Sequence, residues 1–271
     1  MSRKSNKTRE AAKTMLWRGT GSSAHVTLLG SIHALFDAPP EWALEPAWNH
    51  DQIVLEADAA SSFSPEAMER PNGATITGSW PGLYSAFESA TIVADIDTDQ
   101  LDRAWPAWAA IVLPMRTLRD LLPCGIEAKI STIRDERGLS PRFLEDYADF
   151  RNLIANIPLQ EQVGFLRRVI QDLKLGRKKL ARAEIAWRRG QLSALAAALD
   201  LTDLLSYHPE VFASLFELRH QLWLPKLEAY IRESAAAEQR LLVVVGAGHL
   251  WGPSSLLAYL RLRGFTFENE P

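Results

Sequence analysis

Two short stretches bring a histidine to the end of an apolar run: VTLLGSIHALF at 26–36 and LLVVVGAGHLWG at 241–252. Each run ends in Gly-x-x-His, which sets His33 and His249 just past a candidate strand. A third run, IVLEAD at 53–58, carries Glu56, and an ionised carboxylate there is costly unless it has a partner. Two imidazoles and one carboxylate form a ligand set for a divalent transition metal with open positions, where a bound water is acidified and a carbonyl polarised. The same groups also serve without metal, histidine as general base and glutamate as its orienter. On the residues alone both chemistries stay open.

Such groups meet only if the elements that carry them are neighbours. LWRG and AHVTLLG flank the small polar turn TGSS (20–23), a β-hairpin pattern. DQIVLEAD (51–58) is a third candidate strand, preceded by the helical PPEWALEPAWNH with prolines at its start. Residues 79–139 read as mostly helical, SPRFLED (140–146) as a short strand, and 147–237 as helices interrupted at Pro158, Gly176, Gly190 and Pro209. QRLLVVVGAGHL then gives a buried strand, PSSLLAYLRLRG a helix and FTFE a final strand. The expected fold is α/β, a central mixed β-sheet flanked by helices with a mostly helical middle section at about 147–237. Loops at one sheet end would hold His33, Glu56 and His249, with Gly30 and Gly246 allowing unusual backbone conformation or close approach. The strands near 26–30, 53–57 and 241–246 are therefore expected side by side.

Length and composition set bounds. A chain of 271 residues, 47% hydrophobic, can bury a sizeable core, and a flexible segment 1–13 followed by one domain at 14–271 is expected. The basic start lacks the apolar core of a secretory signal. The longest apolar run, AWPAWAAIVLPM (104–115), is too short and proline-broken to span a bilayer, so a cytoplasmic protein is expected. Cys124 is the single cysteine, which rules out an intramolecular disulfide and a cysteine-rich metal site. A net charge of −3 argues against a nucleic-acid partner. One local patch, 167–189, holds nine Lys or Arg against two Asp or Glu, with apolar residues at helical spacing. It reads as a solvated helix face, where charge reversal at Arg177, Lys178 and Lys179 should matter little.

GSIHALFDAPPEWALEPAWNHDQIVLEAD resembles the opening block of the TraB/GumN proteins, which include the Tiki proteases, and VVVGAGHLWGPSSLLAYLRLRGF resembles their closing block. Between them CGIEAKISTIRDERG, FLED and AWRRGQL are similar to further family segments, so the resemblance spans about 14–268. It implies a core like that of the erythromycin-esterase and ChaN-type proteins, with His33, Glu56 and His249 in one cleft. Tiki-type members imply a divalent-metal-dependent peptidase, with Mn, Co or Zn held by those three residues. The esterase relatives imply a metal-independent histidine base acting on a small-molecule ester, and the ChaN-type relatives a protein that binds a metal or haem-type ligand without turnover. By position, Glu127 and Glu145 match acidic residues that would be supporting ligands or acid–base groups. Arg219 matches an arginine that would stabilise an oxyanion or orient a carboxylate. The segment around it departs from the family pattern, reading Leu218-Arg219-His220 where an acid and Asn or Asp would flank the arginine. His220, on a helix beside Trp223, reads as a partly buried helical histidine rather than an added ligand, and His25, His50 and His208, with no motif around them, read as structural.

Overall fold

The computed structural model describes residues 14–57, 68–121, 123 and 125–270; the expected flexible segment 1–13 and Cys124 lie outside them. VTLLGS and LLVVVG form β2 (Val26–Ser31) and β5 (Leu241–Gly246), and every residue of both is buried. A strand covered on both faces needs such an unbroken apolar run, with no alternation of polar residues. The two pair in parallel, from Val26 opposite Leu241 to Ser31 opposite Gly246. On the other side of β5 lies β3 (Gln52–Leu55), also parallel, and beyond it the two-residue β4 (Arg142–Phe143). β1 (Leu16–Thr20) turns through Gly21–Ser23 into β2 as an antiparallel hairpin, and β6 (Thr266–Asn269) pairs antiparallel with β1.

The resulting sheet is mixed and six-stranded, in the order β4-β3-β5-β2-β1-β6, with helices around it. This is the α/β architecture expected from the sequence, with β2, β5 and β3 adjacent. Its consequence for chemistry is direct: β2, β3, β4 and β5 run the same way, so the chain leaves all four at one end of the sheet. Past β4 the register continues into that end, because Leu144 and Glu145 donate their amides to Leu55 O and Glu56 O at 3.1 and 2.9 Å.

Two hydrophobic clusters fill the interior. One surrounds the sheet and includes Ile126, Trp187, Trp223 and Leu224. The other lies among the helices away from the sheet; it holds Phe87, Trp108, Phe150 and Leu166, with Pro106–Thr117 and Leu159–Asp172 among its helices. From Tyr147 to Ala236 the chain is helical apart from short turns, as the spacing predicts. Among the described residues, no helix is long and apolar enough to cross a membrane.

The basic stretch 167–189 is helical but more closely paired than a merely solvated face. Arg168 meets Asp203, Arg177 forks onto Asp120, and Lys179 contacts both Asp172, at 2.8 Å, and Asp200. Position therefore matters for charge reversal. Lys178→Glu, at an exposed site, should change stability by no more than about 0.5 kcal/mol. Lys179→Glu would gather three carboxylates and should cost about 1 kcal/mol after solvent screening. Urea unfolding of the two variants checks the difference, and equal small effects would mean that the Lys179 pairs contribute nothing.

Candidate functional site

The first Gly-x-x-His loop is held from three sides. A Cβ on Gly30 would come within 3.1 Å of Leu250 Cδ1 and 3.2 Å of Ala247 Cα, so glycine lets the loops after β2 and β5 close on each other. From the helix Gly176–Arg188, Trp187 Nε1 donates to Gly30 O at 2.7 Å. The buried Glu184 accepts the Phe36 amide at 2.8 Å, and Arg188 donates to Asp37 O and Ala38 O. One face of the basic helix thus clamps the loop of His33, which its composition did not suggest. From the other side, Ile126 donates its amide to Ile32 O at 3.1 Å and brings in the helix Ile126–Glu136.

Glu127 sits in the first turn of that helix, where the dipole favours a carboxylate. Its Oε1 lies 3.0 Å from His33 Nδ1 and also accepts the Ser31 hydroxyl. The Glu127 charge raises the His33 pKa to about 9, against the opposing effect of desolvation. With its side chain 59% exposed, His33 feels that charge through partial solvent screening. Burial alone would raise the Glu127 carboxyl, but the His33 charge and the hydrogen bonds from His33 and Ser31 outweigh it and hold it below its ordinary value.

Beside this pair lies a buried ionic cluster. Glu56 follows β3, Glu145 follows β4, and Arg219 and His220 open the helix Leu218–Ala236, entered through a π-helical stretch at Ala213–Glu217. Such stretches rotate the following side chains and recur at functional sites. Arg219 forks onto Glu145, Nε and Nη2 donating at 2.9 and 2.8 Å. Nη2 also donates to Glu56 Oε1, while Nη1 donates to Leu215 O at 3.4 Å and lies 3.2 Å from His249 Nε2. Its guanidinium carbon lies 5.1 Å from the ring centre of Phe150 and 4.7 Å from that of Trp223.

All five N–H groups of Arg219 are engaged, so it orients carboxylates and has no donor left for an oxyanion. One cation between two acids also separates their behaviour. Burial would raise Glu56, but the Arg219 charge outweighs it and holds the carboxyl well below its ordinary range. Burial, helped by the Glu56 charge, keeps Glu145 above its usual value despite Arg219.

The second Gly-x-x-His loop continues from β5 into a tight turn, Ala247–Leu250. His249 is buried there, its ring 5.0 Å from Phe216 and 4.7 Å from Trp223. Its Nδ1 lies 2.9 Å from His220 Nε2, and His220 Nδ1 lies 2.8 Å from Ser254 O. Desolvation pushes His220 down to about 3 and also lowers His249, so both rings are neutral at pH 7.

His33, Glu56 and His249 converge on Gly246. That glycine has φ −52° and ψ 133°, open to any residue. A Cβ on it would lie 3.5 Å from Glu56 Oε2, 3.5 Å from His249 Cδ2 and 3.6 Å from His33 Nε2. The missing side chain therefore leaves a small space bordered by all three residues. A three-ligand divalent ion does not fit the groups as they stand. The nearest His33 and Glu56 atoms are donor atoms, whereas the nearest His249 atom is a carbon, its Nε2 lying 3.2 Å from Arg219 Nη1 and 3.7 Å from Glu56 Oε1. Among the described residues, no three His, Cys, Asp or Glu side chains are arranged to hold a metal ion.

Glu127 thus stands with His33, while Glu145 and Arg219 stand with Glu56 and His249. Sequence reasoning did not find Ser31, Glu184, Trp187 or the contact of His220 with His249. The helical spacing of Arg219 and Trp223, four residues apart and both on Glu145, was the available signal. His25, His50 and His208 lie in other contacts, with Ile231 O, with Pro46 O and Thr27 Oγ1, and with Glu161.

No curated protein and no solved structure matches this chain. A model of the TraB/PrgY/gumN family matches residues 15–269, a range that contains all six strands and every site residue described above. The chain belongs to the TraB/PrgY/gumN family.

Proposed function

We propose that the chain is a hydrolase of esters or peptides in which His33 is the general base and Glu127 its orienter. The observation that carries this reading is the space at Gly246, faced by His33 Nε2 while His33 Nδ1 rests on Glu127 Oε1. A water there would lose a proton to His33 Nε2 as its oxygen bonds to the substrate carbonyl carbon. The same proton would pass from His33 to the leaving alcohol or amine as that bond breaks. Glu56, the other group facing the space, is held ionised and is the weaker base. The Arg219 cluster then serves as a rigid floor that fixes Glu56. A metal-assisted mechanism with Mn, Co or Zn, which the family resemblance implies, would require His249 to turn its Nε2 from Arg219 towards the space that His33 Nε2 and Glu56 Oε2 already face.

His33 must be neutral to accept a proton, and its pKa is raised to about 9. Hydrolysis of an activated ester should therefore rise from neutral pH with unit slope in log kcat/KM and level off near pH 9. His33→Gln should abolish that limb and lower kcat/KM by about 10² to 10⁴. Chelator should leave the wild-type rate unchanged. A pH-independent rate would overturn the base assignment, and a chelator-abolished rate restored by Mn, Co or Zn would establish the metal mechanism instead.

A further inference from the structure

We propose that His220 is a positioning residue for His249, fixing which ring nitrogen of His249 carries its proton. The inference rests on the hydrolase reading for its kinetic consequence and on hydrogen-bond direction for its geometry. Ser254 O can only accept, so His220 Nδ1, at 2.8 Å, must carry hydrogen. In a neutral ring the other nitrogen is then an acceptor, so His220 Nε2 accepts a hydrogen bond from His249 Nδ1–H across 2.9 Å. That leaves His249 Nε2 as a lone pair, which meets an N–H of Arg219 Nη1 at 3.2 Å.

The opposite tautomer of His249 fails at both ends. Its Nε2–H would face an Arg219 N–H at 3.2 Å while Glu56 Oε1 lies at 3.7 Å, beyond hydrogen-bond reach, and its Nδ1 lone pair would face that of His220 across 2.9 Å. His220 and His249 are 1% and 5% exposed, so no water relieves either mismatch. The effect reaches the reacting space through Arg219, which holds Glu56 Oε1 while Glu56 Oε2 borders that space. His220 thus acts at a distance, through His249 and Arg219, on a carboxylate that it does not touch.

The test combines ¹⁵N imidazole NMR at pH 7 with ester hydrolysis for wild type, His220→Gln and His220→Leu. Glutamine keeps an acceptor for His249 and a donor for Ser254 O, whereas leucine keeps neither. Wild type and His220→Gln should show His249 protonated on Nδ1, and His220→Leu should shift it towards Nε2. His220→Leu should lower kcat by about 10- to 100-fold at nearly unchanged KM, and His220→Gln should recover most of that loss. Wild-type His249 protonated on Nε2 would overturn the proposal, and that result needs no variant to fold. An unchanged tautomer in His220→Leu would overturn it equally, as would a His220→Gln that shifts the tautomer as leucine does. The NMR arm needs no substrate, so wild type without turnover would sink the hydrolase reading while the tautomer result still decides this one.

Discussion

Gly246→Ala should fold as well as wild type and hydrolyse at least about 10²-fold more slowly, because the new methyl occupies the space where the reacting atoms would meet. Nothing in the fold demands glycine at this position. Its φ of −52° suits alanine, and the added Cβ would meet its neighbours no closer than 3.5 Å, an ordinary contact. Gly→Ala at a compatible backbone stabilises by about 0.4–1 kcal/mol through the unfolded chain, so the melting temperature should hold or rise slightly. Gly30→Ala should behave differently, since its Cβ would press on Ala247 Cα and Leu250 Cδ1 at 3.1–3.2 Å and force the two loops apart, costing about 1–3 kcal/mol. The same glycine in the two motifs is thus kept for two reasons, reach in one and room in the other. Thermal unfolding and kcat/KM of both variants separate them. Undiminished turnover in Gly246→Ala would remove the reaction from this space.

Arg219→Met should destabilise the fold by about 3–5 kcal/mol at pH 7, because it leaves the Glu56 and Glu145 carboxylates without their cation in a dry interior. An arginine that only served an oxyanion would instead show a kinetic loss at unchanged stability. The pH dependence gives a second handle. In wild type the Glu56 pKa is depressed, so its contribution is present above the ordinary carboxylate value and is lost as pH falls through the native one. Without the cation both carboxyls would be raised by burial, and the variant would lose stability as pH rises through those values. The gap between wild type and variant should therefore be widest near neutrality and narrow towards pH 4. Adding Glu145→Gln should recover part of the loss by removing one of the two acids. Urea unfolding at pH 7 and pH 5 checks both statements; a deficit below about 1 kcal/mol at pH 7 would mean that the cluster is not a net support.

The parts of this architecture legible in the sequence are those written locally. β2 and β5 announce themselves as unbroken apolar runs because a strand covered on both faces tolerates nothing else. His33, Glu56 and His249 stand out because each follows such a run. The rest depends on partners distant along the chain. Arg219 reads as a helical arginine until Glu56, 163 residues earlier, and Glu145, 74 residues earlier, are placed beside it. The basic stretch 167–189 reads as a solvated face because Asp120, Asp200 and Asp203, which neutralise part of it, lie outside it. Glu184 and Trp187 look like ordinary members of an amphipathic helix, and only the arrival of the Gly30–Asp37 loop on that helix makes them its clamp. His220 departs from the family pattern, and a helical histidine gives no local sign that another imidazole will meet it.

β5 stands between β2 and β3, which do not pair with each other. During synthesis both of those strands emerge long before Leu241, and each has an open edge that nothing but β5 will close. At about 5–20 residues per second, the interval lasts on the order of ten seconds or more. For that time the nascent chain carries two apolar strands with unmet backbone groups, the condition in which chains associate with one another. A polypeptide released before residue 241 would lack the strand around which the parallel sheet assembles. The burden on cellular folding assistance therefore falls during translation, until the segment from Leu241 to Gly246 has emerged.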